Sequence, residues 1–387
     1  AVLSREIVSI GFEFLILVTV TEAVMRAGEV MSVYLANPIG PRCEVPKTAQ
    51  AHPFRTLVRP AGQEHFQEVA EPPVVIARGG AAAKLRLQCP AVVEPETEYK
   101  PRLCAVDGVG ENAASGYQGI PYVWRPGTER DAGMLAPLTS EQRLTRVPLK
   151  RSDDDFEYHT AHDEFAGISA VGNPVGRPED FGGWRVHFGD IHCHSKPCDA
   201  FGTMREAYEY GYWVSGLDFC TVSHQHLSPS HRFAQADHDE YLAINDEYDA
   251  MEDFATVIGA EIYCTDGHRI VYFPSTDEAR KLPVAREWWG DEGFPAVADL
   301  SAQLDGLEAI TVMHHPRFIW PLDWSRPLHE RERCVEICSR WGSSEEGGPH
   351  SVQVGLAHGH RLGFVGGTDN EPLSLDEAFL DLTGTAR

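Results

Sequence analysis

Positively charged residues are scarce in this chain of 387 residues, which has 33 Lys and Arg against 58 Asp and Glu. The formal charge of -25 opposes broad attraction to a nucleic-acid backbone or to an anionic membrane surface. An anion could be recruited only locally, for instance by a cluster of metal ions. We therefore expect a small-molecule substrate, and neither a nucleic-acid nor a membrane partner.

Long hydrophobic runs are also lacking. The longest, Ile7–Val20, contains Glu13 and is too short to cross a bilayer as a helix, so we interpret it as a buried strand. The basic start and the small-residue cleavage site of a signal peptide are missing as well. The chain begins at Ala1 rather than Met, which leaves open whether a leader precedes it.

A paired cysteine framework is a third absence. The nine cysteines are an odd number without regular spacing, and several lie beside candidate metal ligands. Reduced thiols are typical of the cytoplasm, so a cytoplasmic location is predicted. The sequence has no internal repeat, but its 42% hydrophobic and 10% aromatic residues are those of an ordinary globular protein.

The residue patterns predict three regions. Residues 1–125 are β-rich, and runs such as Val74–Ala77 and Tyr122–Trp124 recur at spacings suited to a β-sandwich. Residues 126–183 are rich in Pro, Gly and charge, and are predicted to be a connector that wraps around the β region without forming core. Residues 184–387 alternate strand and helix patterns. Their strands are predicted at 185–191, 217–222, 255–260, 268–273, 308–313, 333–338 and 362–367.

Helical patterns separate these predicted strands. Apolar residues recur three and four positions apart over 204–213, 240–251 and 296–307. This alternation predicts an α/β fold, specifically a (β/α) barrel, in which chemistry gathers at the C-terminal ends of the strands. Fourteen of the 18 histidines lie at or beyond position 187, so most of the imidazole falls in the predicted barrel.

The clearest metal signature is His192-Cys193-His194, at the end of the apolar run Trp184–Ile191. Two imidazoles two residues apart on an extended segment point the same way, and Asp199 can close around the same ion. Cys193 points to the other side of the strand and is interpreted as a small packed hydrophobic residue.

Further ligand-type residues recur where apolar runs end. Glu261 is interpreted as a bridging carboxylate, and Asp369 follows glycines that let the backbone approach a crowded cluster. Adjacent residues on a strand face opposite sides, so only one of His314 and His315 is expected to bind a metal. We favour His315, next to Pro316.

These motifs resemble those of the PHP (polymerase and histidinol phosphatase) superfamily of metal-dependent barrels. The resemblance covers roughly residues 185–371. It is carried by residues 189–194 with Asp199, 216–224, 259–261 with His268, 313–316 and 366–369. The β-rich leader and residues 335–345 further resemble an uncharacterised branch in which a β domain precedes the barrel. The resemblance implies a distorted seven-stranded (β/α)7 barrel, two or three divalent ions (Mn, Zn or Fe), and hydrolysis of phosphomonoesters or phosphodiesters.

Carried over residue by residue, the resemblance implies a set of metal ligands: His192, His194, Asp199, His224, Glu261, His268, His315 and Asp369. In the second motif the ligand is either His224 or His226. The family has a His two residues after the last Asp, where this chain has Glu371; an oxygen ligand there favours Mn, Mg or Fe over Zn. Residues 372–387 allow only a short closing helix, which leaves open whether the chain is a fragment.

The expected chemistry follows from the clustered ions, which lower the pKa of a bound water toward about 7 and clamp substrate oxygens. The histidine that is not a ligand, His226 or His314, is the candidate acid for the leaving group. Asp190, Glu336 and Glu345 are candidates to orient a ligand imidazole. The candidates to hold an anion or a ring are Lys196, Arg269, Arg317, Arg340, Trp320 and Trp324.

The leading hypothesis is a metal-dependent hydrolase that acts on a small phosphoester. A second hypothesis keeps the metals and the barrel but cleaves a C–N or C–O bond, because the same activated water serves amide and ester hydrolysis. A third is a binding protein whose barrel has lost its chemistry. The nearly intact ligand set argues against the third.

Overall fold

The computed structural model describes residues 3–10, 13–20, 49, 51–53, 57–58, 67–69 and 73–369, with gaps at 110, 128–133, 140–144, 147, 153–155, 196–197, 199, 201, 228–232, 285–288, 290–292 and 319–320. The chain divides into two compact units, Ala1–Val45 and Pro46–Arg387.

The first unit contains an antiparallel pair of strands, β1 (Leu3–Ile10) and β2 (Glu13–Val20). The interpretation of residues 7–20 as one buried strand is therefore wrong. The run falls in two strands: β1 ends at Ile10 and β2 begins at Glu13. The predicted β run at 29–35 lies outside the described residues.

Short strands open the second unit. They are β3 (Ala51–Pro53), β4 (Leu57–Val58), β5 (Gln67–Glu68), β6 (Val74–Ile76), β7 (Ala82–Gln88), β8 (Glu98–Tyr99), β9 (Arg102–Asp107), β10 (Gln118–Gly119), β11 (Tyr122–Trp124), β12 (Met134–Leu135), β13 (Leu138–Thr139), β14 (Thr145–Arg146), β15 (Leu149–Lys150), β16 (Phe156–Glu157), β17 (Thr160–Asp163), β18 (Ile168–Val171) and β19 (Val175–Gly176). The largest sheets among them have the strand orders β12-β11-β17-β18 and β14-β9-β7.

One hydrophobic cluster underlies these small sheets. It joins Leu85, Leu103 and Val123 to Ala161 and Val175, all of them buried. Residues 126–183 thus contribute strands and core, which differs from the expected wrapping connector, because their short apolar stretches between Pro and Gly residues pack inward. The β-sandwich and the region boundaries stay predictions.

A nine-stranded mixed sheet forms the rest of the unit. Its strands are β20 (Gly189–Cys193), β21 (Phe219–Leu227), β22 (Ala255–Thr256), β23 (Ile258–Cys264), β24 (Gly267–Phe273), β25 (Ile310–His314), β26 (Glu332–Ser339), β27 (Gly342–Ser343) and β28 (Gly363–Gly366). The order is β20-β21-β23-β24-β25-β26-β27, with β22 beside β21 and β28 beside β26. Strand β24 is antiparallel to both of its neighbours. Each predicted strand of this half coincides at least in part with a strand of the sheet.

Among the described residues of this half, the helices are few, and all but one are short. They are α1 (Met204–Tyr210), a π-helical turn (Gly211–Ser215), α2 (Gln235–Asp249), α3 (Thr276–Ala279), α4 (Val297–Gln303) and α5 (Val352–Ala357), after a 3-10 turn at Pro178–Phe181. Thr203 and Glu206 form a capping box that begins α1. A mixed α/β fold is therefore confirmed, but β23 leads directly into β24 without a helix, so the regular (β/α)7 barrel stays a prediction. Among the described helices, none has both the length and the hydropathy to cross a membrane.

Two sets of contacts position the sheet. The Arg102 guanidinium of β9 donates to the carbonyl oxygens of Gly216 (2.6 Å) and Leu217 (2.9 Å), which fixes the approach to β21. The second contact joins the last strand of the chain to the first strand of this sheet. The amide of Asp369, which follows β28, donates to the His192 carbonyl of β20 at 2.6 Å. The sheet is therefore curled, and the residues after its last strand lie against its first.

Candidate metal centre

Eight titratable side chains converge at one edge of the curled sheet, and each is at most 4% exposed. They are His192, His194, Glu261, His268, His314, His315, Glu336 and Asp369. Because β24 is antiparallel, its first residues lie at the edge where β25 ends, and His268 is the cross-strand partner of His314. Strand order therefore brings together residues that lie far apart in the sequence.

The first group of donors surrounds one oxygen of Glu261. Its Oε1 lies 2.9 Å from His314 Nε2 and 3.3 Å from His268 Nδ1, and His315 completes the group. A metal–nitrogen bond of about 2.1 Å places neighbouring ligand atoms roughly 3.0–3.4 Å apart. The measured spacings are close to that range.

The second group lies on the other side of the same carboxylate. Asp369 Oδ1 is 3.2 Å from His192 Nε2 and 3.1 Å from His194 Nε2. Glu261 Oε2 lies 3.2 Å from His194 Nε2. Glu261 thus directs one oxygen to each group, which is the arrangement of a carboxylate that bridges two ions.

The third group shares Asp369 with the second group and His315 with the first. Asp369 Oδ2 is 3.1 Å from His315 Nδ1, and Glu336 Oε1 is 3.8 Å from the same nitrogen. The other oxygen of Glu336 accepts a hydrogen bond from His192 Nδ1 at 2.7 Å. That bond leaves His192 Nε2 as the nitrogen directed at Asp369.

Several buried ligand atoms in these groups make no well-formed hydrogen bond within the protein, although some of them lie 3.1–3.2 Å from one another. They include His192 Nε2, His194 Nδ1, Glu261 Oε2, His314 Nδ1, His315 Nδ1 and Asp369 Oδ2. A buried polar atom without a partner costs about 1–3 kcal/mol, so a cluster of them is unfavourable unless something else satisfies it. Divalent cations would do so, and the residues present fit them.

The charge states of the cluster also suit cations. Burial lowers the pKa of His315 to about 4 and holds that of His314 well below its usual value, which keeps both imidazoles neutral. Burial alone would raise the pKa values of Glu261 and Asp369, but the surrounding imidazoles, His314 and His192 foremost, hold both well below the usual range. Burial would lower the pKa values of His192 and His194, but the carboxylates of Asp369, Glu336 and Glu261 raise them, so metal binding would displace a proton from each of these two imidazoles.

Backbone strain is concentrated at the same place. His315 and Asp369 have φ values of 40° and 48°, and such left-handed conformations cost about 1–3 kcal/mol in residues other than glycine. Gly367 lies so close to β20 that a Cβ on this residue would be 2.4 Å from the Cβ of His192. The expectation that glycine allows a close backbone approach is confirmed for Gly367.

The positive φ of His315 explains why His314 and His315 do not point to opposite sides, as adjacent residues of a strand would. His314 is the last residue of β25, and His315 lies outside the pleated strand. Its backbone turn brings its imidazole to the same side as that of His314, with ring centroids 4.6 Å apart. Both histidines therefore join the first group, and the expectation that only one of them binds a metal stays a prediction.

Asp190 supports the centre without being part of a donor group. Its carboxylate accepts hydrogen bonds from the His192 amide at 3.0 Å, the Thr368 amide at 3.1 Å and the Thr368 hydroxyl at 2.5 Å. Asp190 thus connects the two segments that carry His192 and Asp369. These contacts hold the backbone of His192 and not an imidazole, so the expectation that Asp190 orients a ligand imidazole stays a prediction, as does its catalytic role.

The two histidines of the second motif lie elsewhere. His224 Nε2 is 3.1 Å from the Ser195 hydroxyl, and its ring packs edge-on against Phe233. His226 stacks on Phe233 and contacts His238 edge-on. Among the described residues, neither joins a donor group, so their predicted roles as ligand or acid stay predictions.

The predicted cations and tryptophans have varied environments. Arg269 is fully buried, and its Nε donates to Glu332 at 2.9 Å, on the side of β24 opposite His268; it therefore has no access to the cluster. Arg317 donates to the Ser343 carbonyl at 2.6 Å. Trp324 is buried in a hydrophobic cluster and does not wall the site. Four predicted residues lie outside the described part of the chain: Lys196, Asp199, Trp320 and Glu371.

Sequence reasoning missed two contributors to this edge of the sheet, Thr368 and Trp341, and gave Glu336 only part of its contacts. Glu336 was expected only to orient an imidazole, yet its second oxygen completes a donor group. Thr368 connects Asp190 to the last segment, and Trp341 packs edge-on against His315 with centroids 5.9 Å apart. The available signal was position, since Glu336 and Trp341 lie in the stretch 335–345 that carries part of the family resemblance.

Comparison with known proteins adds little to this geometry. No family model and no curated protein matches the chain. A solved two-domain protein from Bacteroides vulgatus, described as containing a predicted PHP-like metal-dependent phosphoesterase, is 15% identical with a TM-score of 0.37; the match covers 51% of this chain and 55% of that one. A superoxide reductase (neelaredoxin) from Ignicoccus hospitalis is 11% identical with a TM-score of 0.18, covering 25% and 82%. The chain thus spans about half the length of the first protein, and likenesses at these TM-scores establish neither a family nor an activity.

Proposed function

We propose that this chain is a metal-dependent hydrolase of the PHP type, acting on a small phosphoester with two or three divalent ions. The supporting observation is the convergence of eight buried imidazoles and carboxylates in three overlapping groups, with several ligand atoms in no well-formed hydrogen bond. A purely structural cluster would be expected to pair these atoms with each other or with the backbone. The sequence motifs that carry the PHP resemblance supply seven of the eight residues.

The residues have separate tasks in this proposal. Bound ions would supply Lewis acidity and a water molecule acidified toward a pKa of about 7. Glu261 and Asp369 each face two donor groups and would hold neighbouring ions between them. Glu336 holds His192, while Asp190 and Thr368 hold the segment that carries Asp369.

The test combines metal analysis with a substrate panel. Protein depleted of metal is reconstituted separately with Mn, Zn and Fe(II), and turnover is measured on phosphomonoesters and on linear and cyclic phosphodiesters. We expect bound metal and metal-dependent turnover, both strongly reduced in Glu261→Gln. Glu247→Gln is the matched control, because Glu247 is exposed and pairs only with Arg205.

Two results would contradict the proposal in different ways. Absence of bound metal in the parent protein would contradict the assignment as a metal-dependent hydrolase. Stoichiometric metal without turnover of any phosphoester would remove the phosphoester assignment, and the same preparation would then be assayed on amides and carboxylic esters.

A further inference from the structure

A tight hairpin places an aromatic ring beside the first donor group. Strands β23 and β24 are joined by a two-residue turn, with Cys264 paired to Gly267. One step further from the turn, Tyr263 is the cross-strand partner of His268. The Cβ atoms of such partners lie about 4.5–5.5 Å apart on one face of the sheet. Because side chains two positions apart on a strand share a face, Tyr263 also lies on the face of Glu261.

The Tyr263 ring is stacked face to face on the His268 imidazole. The two centroids are 3.7 Å apart, and the planes are inclined by 14°. Aromatic pairs usually have centroids roughly 4.5–7 Å apart, so this contact is close. The lone pair of an imidazole nitrogen lies in the plane of the ring, and a neighbour that fixes the plane therefore fixes the direction of that lone pair. His268 Nδ1 lies 3.3 Å from Glu261 Oε1 in the first donor group.

Two further rings surround the same imidazole. The centroids of His314 and His315 lie 5.2 and 5.4 Å from that of His268, and their planes are inclined to it by 69° and 76°. Both of these neighbours are edge-on. Of the three rings, Tyr263 alone is nearly parallel to His268, so it is the one that sets the orientation of the plane.

Gln225 holds the hydroxyl end of the tyrosine. Strands β21 and β23 are parallel with Gln225 paired to Glu261, which places the two side chains on the same face of the sheet. Gln225 Nε2 donates to the Tyr263 hydroxyl at 3.2 Å. Gln225 is only 1% exposed, and its backbone amide donates to Cys198 Sγ at 3.1 Å. A buried carboxamide thus restrains the ring that stacks on His268.

We infer that Tyr263, held by Gln225, is a positioning residue for His268. It sets the imidazole plane so that Nδ1 faces the ion of the first donor group. The inference rests on the proposed function for the ions but concerns a residue outside the donor groups. The second donor group does not contain His268, so loss of Tyr263 should weaken the first group and leave the second unchanged.

The first test measures the affinity of each ion separately. Metal-depleted parent and variants are titrated with Zn in a calorimeter, and the site of the first group is identified by its loss in His268→Gln. We expect Tyr263→Leu to weaken that site about tenfold and to leave the other sites unchanged. Tyr263→Phe keeps the ring, and Gln225→Leu removes the same hydrogen bond, so each should lose no more than about threefold.

A double-mutant cycle distinguishes positioning from a general structural role. In the His268→Gln background, Tyr263→Leu should cause no further loss of Zn affinity at any site, because Tyr263 acts through His268. Tyr212→Leu is the control for the cavity that the substitution leaves, since Tyr212 is buried against Phe254, before β22 begins. A further tenfold loss in the His268→Gln background, equal weakening of all sites, or the same effect in Tyr212→Leu overturns the inference.

A readout without metal separates this inference from the proposed function. Nuclear magnetic resonance of metal-depleted protein with isotope-labelled histidine should show the His268 ring protons shifted upfield, because they lie over the Tyr263 ring. The signals are assigned by their loss in His268→Gln. An upfield shift that vanishes in Tyr263→Leu and persists in Tyr263→Phe supports the inference, even if the parent turns over no phosphoester. Signals that do not move between parent and Tyr263→Leu overturn it, even if phosphoesters are hydrolysed.

Discussion

One carboxylate determines how His192 can act. Its Nδ1 lies 2.7 Å from Glu336 Oε2, where it can donate a hydrogen bond, and its Nε2 then faces Asp369 and Glu261. Carboxylates in this position raise the basicity of a metal-binding imidazole and hold its ring in place. Because Glu336 also belongs to a donor group, it contributes both to the centre and to the orientation of a neighbour.

Glu336→Gln is therefore expected to weaken metal binding about 10- to 100-fold, because a neutral amide replaces the charged acceptor of His192. Titration of the metal-depleted protein with Mn or Zn, followed by calorimetry, measures the change. Glu345→Gln is the matched control, since Glu345 follows in the same stretch and is exposed. Unchanged affinity in Glu336→Gln would show that His192 does not depend on this carboxylate for metal binding.

At the scale of elements, a buried ion pair joins β24 to β26. Glu332 accepts hydrogen bonds from Arg269 at 2.9 Å, from Arg326 at 2.6 and 2.9 Å, and from the His329 amide at 2.7 Å. Burial would raise the pKa of Glu332, but Arg326 and Arg269 lower it from 4.5 to about 2. The pair holds together the two strands that carry His268 and Glu336.

Removing one partner of this pair should destabilise the fold. Glu332→Gln removes the nearer counter-ion of the fully buried Arg269 guanidinium and leaves only the Asp266 carboxylate, 3.7 Å away, among its described ion pairs, at an expected cost of about 3–5 kcal/mol. Since the folded pKa is the lower one, the charged carboxylate stabilises the fold above about pH 4.5, and this contribution is lost as the pH falls toward 2. Urea unfolding of parent and variant should therefore show a gap that is largest at neutral pH and narrows below pH 4.5. Exposed Glu330→Gln is the control, and a gap independent of pH would contradict the assignment.

The approximate positions of the strands in the nine-stranded sheet were predictable, because apolar runs in the sequence mark buried strands directly. The runs that end near His192, Glu261 and His314 all become strands of one sheet, and these residues meet at its edge. The candidate ligands could be chosen for the same reason, since polar residues that follow such runs lie where parallel strands end.

Strand direction and local backbone strain could not be read from the sequence. The antiparallel course of β24 places His268 at its beginning beside the end of β25, although the residue pattern suggested regular alternation of strand and helix. The φ of 40° at His315 depends on packing by residues distant in the sequence, so the alternation of side chains along a strand does not predict it. The contributions of Glu336 and Trp341 likewise arise from packing between distant segments.

At the scale of the whole molecule, the donor groups connect segments that are far apart in the chain. His194 and Asp369 are 175 positions apart in the sequence yet their donor atoms are 3.1 Å apart. In the absence of ions, this convergence leaves buried carboxylates and imidazoles incompletely satisfied. Ions that bind the folded chain and not the unfolded one should therefore contribute directly to its stability.

Metal should consequently raise the melting temperature of the chain. At a free ion concentration a hundred times the dissociation constant, the linked stabilisation is about 2.7 kcal/mol, which corresponds to a shift of several degrees. Thermal unfolding of metal-depleted protein, followed by circular dichroism during a Mn or Zn titration, measures the shift. Glu261→Gln should lose most of the shift because Glu261 faces two donor groups, whereas Glu247→Gln should keep it. A melting temperature that does not respond to metal in the parent, or that responds equally in Glu261→Gln, would mean that the convergence of these side chains does not serve to bind cations.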